Sequence, residues 1–381
     1  MNVRILILTA GFGEGHNAAA RALAAAQEER HGAGSAPVVD ALALASPRLN
    51  APARSAYLSI INAWPAGWGV LYRWLDRSRL VPSLLGRLPA ERAVLRRLIA
   101  QERPAAVCCT FPGYAFTLAL LARAGGLSVP FFNVVTDSIS INSLWWKAGA
   151  AGWFVPNEES AEVMRAGGVD AERVHVTGFP VGPVFRRLSR EPGPPDLARG
   201  GRPRVLYIVN SGRSRAPETA ELLLRATDWE VTCTVGRDEG LRRKLLRVAA
   251  ERAAPARILG WTDEIPRLLR AHHVVVSKAG GATTQEALAA GCPMVVNQVV
   301  PGQEEGNYEL LRRHGIGSLA TSPEKVLEVL RSAFAGEGNV WSGWRRALAP
   351  LSRPQAAEDI LDRIIATANP GTARPEAEIL R

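Results

Sequence analysis

Two glycine-containing loops carry the side chains best suited to acid–base catalysis or ligand binding. The first, Gly11-Phe12-Gly13-Glu14-Gly15-His16, leads from an apolar strand into an alanine-rich helix. A histidine at a helix N-terminus lies at the positive end of the helix dipole, which lowers its pKa and favours the neutral imidazole. Because a neutral imidazole can accept a proton from an attacking hydroxyl, His16 is a candidate general base. A helix-capping or acceptor-positioning role is the alternative.

The second loop follows a run of three valines that reads as a buried strand. Gly280 and Gly281 allow a ligand to approach the backbone, and Thr283 or Thr284 could cap the helix that follows. The free N–H groups and dipole of such a helix start suit a phosphate. Glu286, one turn into this helix, could accept hydrogen bonds from ribose hydroxyls. An ordinary strand-to-helix turn remains the alternative for the glycines alone.

A polar loop follows the next apolar strand, Pro293-Met294-Val295-Val296. In this loop Gln303 and Glu304 offer hydrogen-bond donors and acceptors that suit sugar hydroxyls. Open α/β sheets bind ligands at the carboxyl ends of their parallel strands, which is where this loop is expected. Residues 274–307 therefore predict a site for a phosphate with an attached sugar.

This combination of motifs resembles the donor half of the GT-B glycosyltransferases. Within this fold, the chain resembles more specifically the branch of diacylglycerol galactosyl- and glucosyltransferases, the monogalactosyldiacylglycerol synthase type (glycosyltransferase family 28-like). It implies that Gly280 to Thr284 hold the donor diphosphate, that Glu286 holds the ribose, and that Gln303 and Glu304 hold the transferred sugar. Further donor-binding residues implied by the same comparison are Ser211, Gly212, Arg213, Gly260 and Trp261. A core position is the alternative for this tryptophan.

The N-terminal half resembles the same family in its G-x-G-H loop and in a V-V-T-D strand that ends at Asp137. In the family this glycine turn faces the cleft between the two domains. The resemblance implies acceptor binding by Gly13, Gly15, Asn142 and Trp145. It makes Asp137 a second candidate for base action or acceptor binding, with a helix N-cap as the alternative.

Two positions depart from the family pattern. Plant members have an aspartate where Gly11 stands, and members usually have a histidine where Asn142 stands. An asparagine can position a hydroxyl but cannot take its proton. The identity of the base and of the acceptor therefore stays open, and a catalytically inactive UDP-sugar-binding protein is one alternative. The others are a UDP-sugar epimerase and a glycosyltransferase with a non-lipid acceptor.

The first loop could also belong to a dinucleotide-binding site. Asp40, at the end of a second predicted strand, could supply the acidic residue that binds a ribose. The glycine spacing does not match G-x-G-x-x-G, however, and His16 occupies the third glycine position, where its ring would prevent close helix–strand contact. This function is therefore not favoured.

The length of 381 residues suits two domains. The predicted fold is α/β, namely GT-B, with two Rossmann-like domains facing a cleft and a C-terminal helix crossing back. The expected boundaries are an acceptor- and membrane-binding domain at 1–189, a linker at 190–203, a UDP-sugar-binding domain at 204–350, a crossover helix at 351–368 and a disordered tail at 369–381.

The chain carries 46 Lys and Arg against 36 Asp and Glu, a formal charge of +10. Such an excess favours anionic partners, although a GC-rich genome would also enrich arginine. Residues 51–100 interleave Trp and Tyr with Arg, which suits an anionic membrane surface; helices that merely cover a sheet are the alternative. With no signal-like start and no recognisable nucleic-acid-binding module, we expect a cytoplasmic protein, peripheral on the inner face of the cell membrane, that binds no nucleic acid.

Four cysteines lie in apolar stretches without zinc-like spacing and are predicted to be buried thiols. No D-x-D motif is present, so neither a metal nor a cofactor is expected. The donor substrate implied by the resemblance is UDP-glucose or UDP-galactose, and the acceptor is a lipid hydroxyl, foremost that of diacylglycerol. The expected activity is that of an inverting UDP-sugar-dependent hexosyltransferase in glycolipid biosynthesis.

Overall fold

The computed structural model describes residues 3–48, 50–52, 54–56, 84, 87–209, 215–225, 229–302 and 304–368. The chain divides into two compact units. The first comprises Met1–Pro183, Pro301–Gly306 and Gln355–Arg381, and the second comprises Val184–Val300 and Asn307–Pro354. The first change of unit thus lies ahead of the predicted linker at 190–203. Within that stretch Leu197 is buried in the core of the second unit.

The strands are short, apolar and mostly buried. They are β1 Ile5–Leu8, β2 Val38–Val39, β3 Ala106–Cys109, β4 Phe131–Val134, β5 Gly152–Val155, β6 Val174–Val176, β7 Arg204–Ile208, β8 Glu230–Thr234, β9 Ala256–Leu259, β10 Val274–Lys278, β11 Met294–Gln298 and β12 Ser318–Leu319. Valine and isoleucine favour strands because their branched side chains pack well on a pleated surface.

The helices alternate with these strands. They are α1 Glu14–His31, α2 Ala41–Ala45, α3 Pro89–Glu102, α4 Gly113–Arg123, α5 Leu144–Lys147, α6 Glu158–Ala166, α7 Pro183–Leu188, α8 Ala216–Arg225, α9 Glu239–Ala250, α10 Ile265–Ala271, α11 Gly281–Ala290, α12 Glu305–Arg313, α13 Pro323–Phe334, α14 Asn339–Leu348 and α15 Ala356–Ala368. Side-chain N-caps start several of them, namely Asp40 for α2, Asn157 for α6, Asp238 for α9 and Ser322 for α13.

Within the described residues, each unit contains one six-stranded parallel sheet. The strand order is β2-β1-β3-β4-β5-β6 in the first unit and β12-β11-β10-β7-β8-β9 in the second. The order reverses between β1 and β3 in the first sheet and between β7 and β10 in the second. Ligands of open α/β sheets bind where such a reversal opens a crevice at the carboxyl ends of the strands.

The last helix completes the core of the first unit. Leu6 of β1 faces the cluster that is covered by α3 and α4. Ile7 faces the opposite side, where it belongs to one cluster with Leu23 of α1 and with Ile360 and Ile364 of α15. The predicted C-terminal helix that crosses back is confirmed.

All four cysteines are buried and free, as predicted. Among the residues with described placement, no helix combines the length and the hydropathy that crossing a bilayer requires. Several sequence predictions fall outside the described residues. They are the donor-binding residues Ser211, Gly212, Arg213 and Gln303, the aromatic residues Tyr57, Trp64, Trp68, Tyr72 and Trp74, and the tail from Asn369.

Candidate active site

The glycine loop after β1 is held by a carboxylate from another element. Asp40 accepts a hydrogen bond from the Gly11 backbone N–H (3.0 Å) and caps α2 through Ala43 N–H (2.9 Å). The buried Tyr114 hydroxyl donates to the Thr9 carbonyl at the start of the loop (2.9 Å). Asp40 is thus committed to shaping the loop, which speaks further against a ribose-binding role.

His16 lies in the first turn of α1, among residues that follow β3 and β4. Its ring makes an edge-on contact with Phe111, with 5.4 Å between ring centroids, and lies 6.1 Å from the ring of Trp145. Its Nδ1 atom is 2.8 Å from the hydroxyl oxygen of Thr136. The sheet order explains this cluster, because β1, β3 and β4 are neighbours and their carboxyl ends meet at one edge.

Asp137 follows Thr136 and is bound by a tryptophan. The Trp145 indole N–H donates to Asp137 Oδ2 (2.8 Å), and the Trp145 ring is fully buried. Asn142 is also buried, and its Oδ1 accepts from the Leu144 N–H (3.0 Å) at the start of α5. Trp145 thus orients Asp137, and Asn142 shapes the turn that carries Trp145. Acceptor binding by Trp145 and Asn142 stays a prediction.

The two ionisable side chains of this cluster influence each other. Burial lowers the pKa of His16, while the charge of Asp137 and a hydrogen bond with the backbone of Thr110 act in the opposite direction. Burial raises the pKa of Asp137, against the charge of His16 and the indole hydrogen bond. The direction for His16 agrees with the sequence-based expectation, but its cause is burial rather than the helix dipole.

The two other loop glycines differ in their surroundings. A Cβ added at Gly13 would lie 3.4 Å from the His16 ring, an ordinary van der Waals contact. A Cβ added at Gly15 would meet no atom within 4 Å. Acceptor binding by Gly13 and Gly15 stays a prediction.

In the second unit, β10 leads into α11 through the predicted glycine turn. Gly280 is the N-cap of α11, and no side chain caps this helix. Capping by Thr283 or Thr284 is therefore corrected, because both lie inside α11. Thr284 is fully buried, with its hydroxyl 3.8 Å from the sulfur of Met294, so it faces the core rather than a phosphate.

The helix start nonetheless keeps its anion-binding character. The first helical hydrogen bond runs from Thr284 N–H to the Gly280 carbonyl (2.9 Å). The N–H groups of Gly281, Ala282 and Thr283 precede it and point out of the helix end, at the reversal between β7 and β10. These three backbone N–H groups are the donors that this turn could offer to an anion.

The other predicted donor residues are spread over both units. Trp261 follows β9 and is 72% exposed, so its ring is a surface feature and not part of the core. It adjoins Gly260, and Glu286 lies partly buried in α11. Glu304 is buried and belongs by its contacts to the first unit, although it was predicted to lie in the UDP-sugar-binding domain.

Sequence reasoning did not assign Thr136, Phe111 or Asp40 to this site. Thr136 and Phe111 are the second residues after β4 and β3, so their position near strand ends was a usable signal. The contact of Asp40 with Gly11 had no such signal, because it depends on how β2 pairs with β1.

Two sequence comparisons match the same kind of protein. Residues 16–181 match the family model for monogalactosyldiacylglycerol (MGDG) synthase. A relative named processive diacylglycerol beta-glucosyltransferase, from Bacillus subtilis, is 25% identical over 394 residues, covering 100% of this chain and 99% of the relative.

Solved structures agree on the fold. The glycosyltransferase SnogD from Streptomyces nogalater is 18% identical, with a TM-score of 0.53 and coverage of 97% of this chain and 100% of that one. UDP-GlcNAc 2-epimerase from Neisseria meningitidis is 11% identical, with a TM-score of 0.55 and coverage of 96% and 100%. The chain has the GT-B fold, and its resemblance to the monogalactosyldiacylglycerol synthase and processive diacylglycerol glucosyltransferase family is confirmed.

Proposed function

We propose that this chain is an inverting glycosyltransferase that moves a hexose from a UDP-sugar to the hydroxyl of a lipid. The observation that carries the proposal is the His16–Asp137 pair, at the carboxyl ends of β1 and β4 in a chain related over its whole length to diacylglycerol glucosyltransferases. Such a pair supplies a base and a neighbouring charge that stabilises the protonated base.

The proposed reaction is one displacement. His16 takes the proton of the acceptor hydroxyl while the acceptor oxygen forms its bond to the anomeric carbon. The bond from that carbon to the diphosphate oxygen breaks, and UDP leaves with the electron pair. Asp137 stabilises the imidazolium, and the N–H groups at the start of α11 stabilise the departing diphosphate.

The substrates and the location belong to the same proposal. The donor is UDP-glucose or UDP-galactose, and the acceptor is diacylglycerol, supported by the name of the related B. subtilis protein. The enzyme works as a peripheral protein on the inner face of the cell membrane, bound to anionic lipid. It uses no metal or cofactor in the proposed step and binds no nucleic acid.

Release of UDP tests the proposal. UDP is measured with UDP-glucose, UDP-galactose and UDP-N-acetylglucosamine, each with and without vesicles that contain diacylglycerol, and the lipid product is identified by mass spectrometry. We expect release that requires one hexose donor and the lipid. In His16→Ala we expect kcat to fall at least about 100-fold, the usual contribution of a general base.

The matched control is His31→Ala, which alters a histidine at the other end of the same helix. It should leave kcat unchanged. Donor binding without lipid-dependent turnover would contradict the proposal. Interconversion of UDP-sugars without any acceptor would identify an epimerase instead, and equal rates in His16→Ala and wild type would remove His16 as the base.

A further inference from the structure

The backbone directly after Asp137 forms a strained turn. Ile139 has a φ of +56°, a left-handed conformation that β-branched residues rarely adopt. The Ser140 N–H donates to the Ser138 carbonyl (2.6 Å), which closes a tight three-residue turn around Ile139. Strained turns persist only where their surroundings hold them, and they concentrate at functional sites.

Two side chains at the start of α6 hold this turn. Asn157 donates through its side-chain amide to the Ser138 hydroxyl (2.7 Å), and the Ser160 hydroxyl accepts from the Ile139 N–H (3.1 Å). Asn157 also caps α6 through the Ser160 N–H (2.9 Å). Both side chains are buried, so the turn is fixed to the end of a regular helix.

A glycine from a distant part of the sequence packs against the same turn. Gly306 is buried near the start of α12. A Cβ added there would lie 1.8 Å from the Ser138 carbonyl oxygen and 2.8 Å from the Ser140 nitrogen, distances that no side chain can occupy. Residues 301–306, which include Glu304, belong to the same unit as this turn.

We propose that Gly306 and Ser160 are positioning residues: they hold the Ser138–Ser140 turn so that Asp137 meets His16. Gly306, two residues after Glu304, packs directly on this turn. The inference rests on the proposed function for its catalytic meaning. This contact requires a residue without a side chain at position 306, because the backbone of Gly306 packs directly against the backbone of the turn.

The first test is Gly306→Ala. The added methyl group must displace the turn or the segment 301–306, so we expect kcat to fall by about 100-fold, the scale of a misplacement of about 1 Å, with a smaller change in KM for the donor. The matched control is Gly343→Ala in α14, where an added Cβ meets nothing within 4 Å. It should leave kcat unchanged.

Ser160→Ala is the second variant, because its small change leaves the backbone cap of α6 intact. It removes the acceptor of the Ile139 N–H, and we expect kcat to fall about tenfold, the loss typical of one unsatisfied buried donor. Ser160→Thr keeps the hydroxyl and should recover most of this activity.

A measurement that does not depend on turnover distinguishes the positioning role from the proposed transferase function. The titration of the His16 ring, followed by NMR of labelled histidine and assigned with His16→Ala, should shift in Gly306→Ala and Ser160→Ala and stay unchanged in Gly343→Ala. Shifts in a protein that transfers no hexose would contradict the proposed function and leave the positioning intact. Hexose transfer with wild-type kcat and an unmoved His16 titration in both variants would overturn the positioning.

Discussion

His16 experiences opposing influences on its protonation. Burial disfavours the charged ring, whereas the neighbouring Asp137 favours it. Since the net effect lowers the pKa of His16 from its ordinary 6.5, the ring is neutral at neutral pH. A base works only when deprotonated, so kcat/KM should decline as pH falls through this lowered pKa, below 6.5.

Trp145→Phe distinguishes His16 from Asp137 as the base. The indole hydrogen bond lowers the pKa of Asp137, so its loss raises that pKa. A less ionised Asp137 supports the positive charge of His16 less, and the pKa of His16 falls further. With His16 as the base, we expect the acid limb of the kcat/KM profile to move to lower pH.

An acid limb that moves to higher pH in Trp145→Phe would assign the base to Asp137. Trp146→Phe serves as the control, because this neighbouring tryptophan has the same size and does not bind Asp137. Its profile should coincide with that of the wild type.

At the residue scale, the structure brings the two candidate residues His16 and Asp137 into one cluster, but sequence reasoning did not reveal what surrounds them. Both stand at strand ends in recognisable motifs. The role of Trp145 could not be foreseen, since its indole reaches Asp137 only through the turn that Asn142 starts. The expected helix cap at Thr283 or Thr284 was wrong because α11 already starts at Gly281.

The start of α11 is the element that most resembles a phosphate site. Its donors are backbone N–H groups, which no side-chain substitution removes. Gly280 has φ −65° and ψ 138°, the conformation that a residue before proline requires. Proline is also tolerated in the first position of a helix. The N–H group of residue 281 can therefore be removed by a proline without disturbing the backbone.

Gly281→Pro makes this deletion. We expect the affinity for UDP, measured by calorimetry, to fall by about tenfold to 100-fold, the worth of one hydrogen bond to a charged group. Gly281→Ala keeps the N–H and should bind UDP far better than the proline variant. Equal affinity in the two variants would show that the diphosphate does not use this helix start.

At the element scale, strands such as β10 were predictable from their β-branched runs, whereas the side-chain cap expected for α11 is not present. The strand β10 and the helix α15 lie close to their expected positions. The linker at 190–203 was harder to place, because its proline and glycine content says nothing about Leu197, which packs into the second core. The left-handed Ile139 had no signal either, since isoleucine normally avoids that conformation.

Part of the excess positive charge of the molecule lies in a cluster of exposed arginines within the proposed membrane-binding region. Arg92, Arg96 and Arg97 are exposed on α3, and Leu88 before this helix is 42% exposed. Arginine beside exposed leucine suits the headgroup layer of an anionic bilayer. The formal charge of +10 would add long-range attraction to the same surface.

Sedimentation with vesicles tests this surface. We expect binding to phosphatidylglycerol vesicles that weakens in high salt, and little binding to phosphatidylcholine. Replacing Arg92, Arg96 and Arg97 with Gln should weaken binding by roughly 100-fold, since each cation near the surface contributes about 1 kcal/mol. The same change at Arg243, Lys244 and Arg247 on α9 removes equal charge elsewhere. Equal losses in the two triple variants would refute a specific membrane-binding surface.

Helix α15 follows the second unit in the sequence but packs in the core of the first unit. The first unit therefore cannot complete its core until α15 has been made. Arg30 of α1 binds Asp362, 332 residues later, and Ile360 and Ile364 cover the same strand face as Ile7. Burying each isoleucine is worth about 1.5–3 kcal/mol. During synthesis this face of β1 can be covered by α1 alone until α15 has left the ribosome, whereas most residues of the second unit are made earlier. The core of the first unit is therefore completed only after most of the second unit has been made.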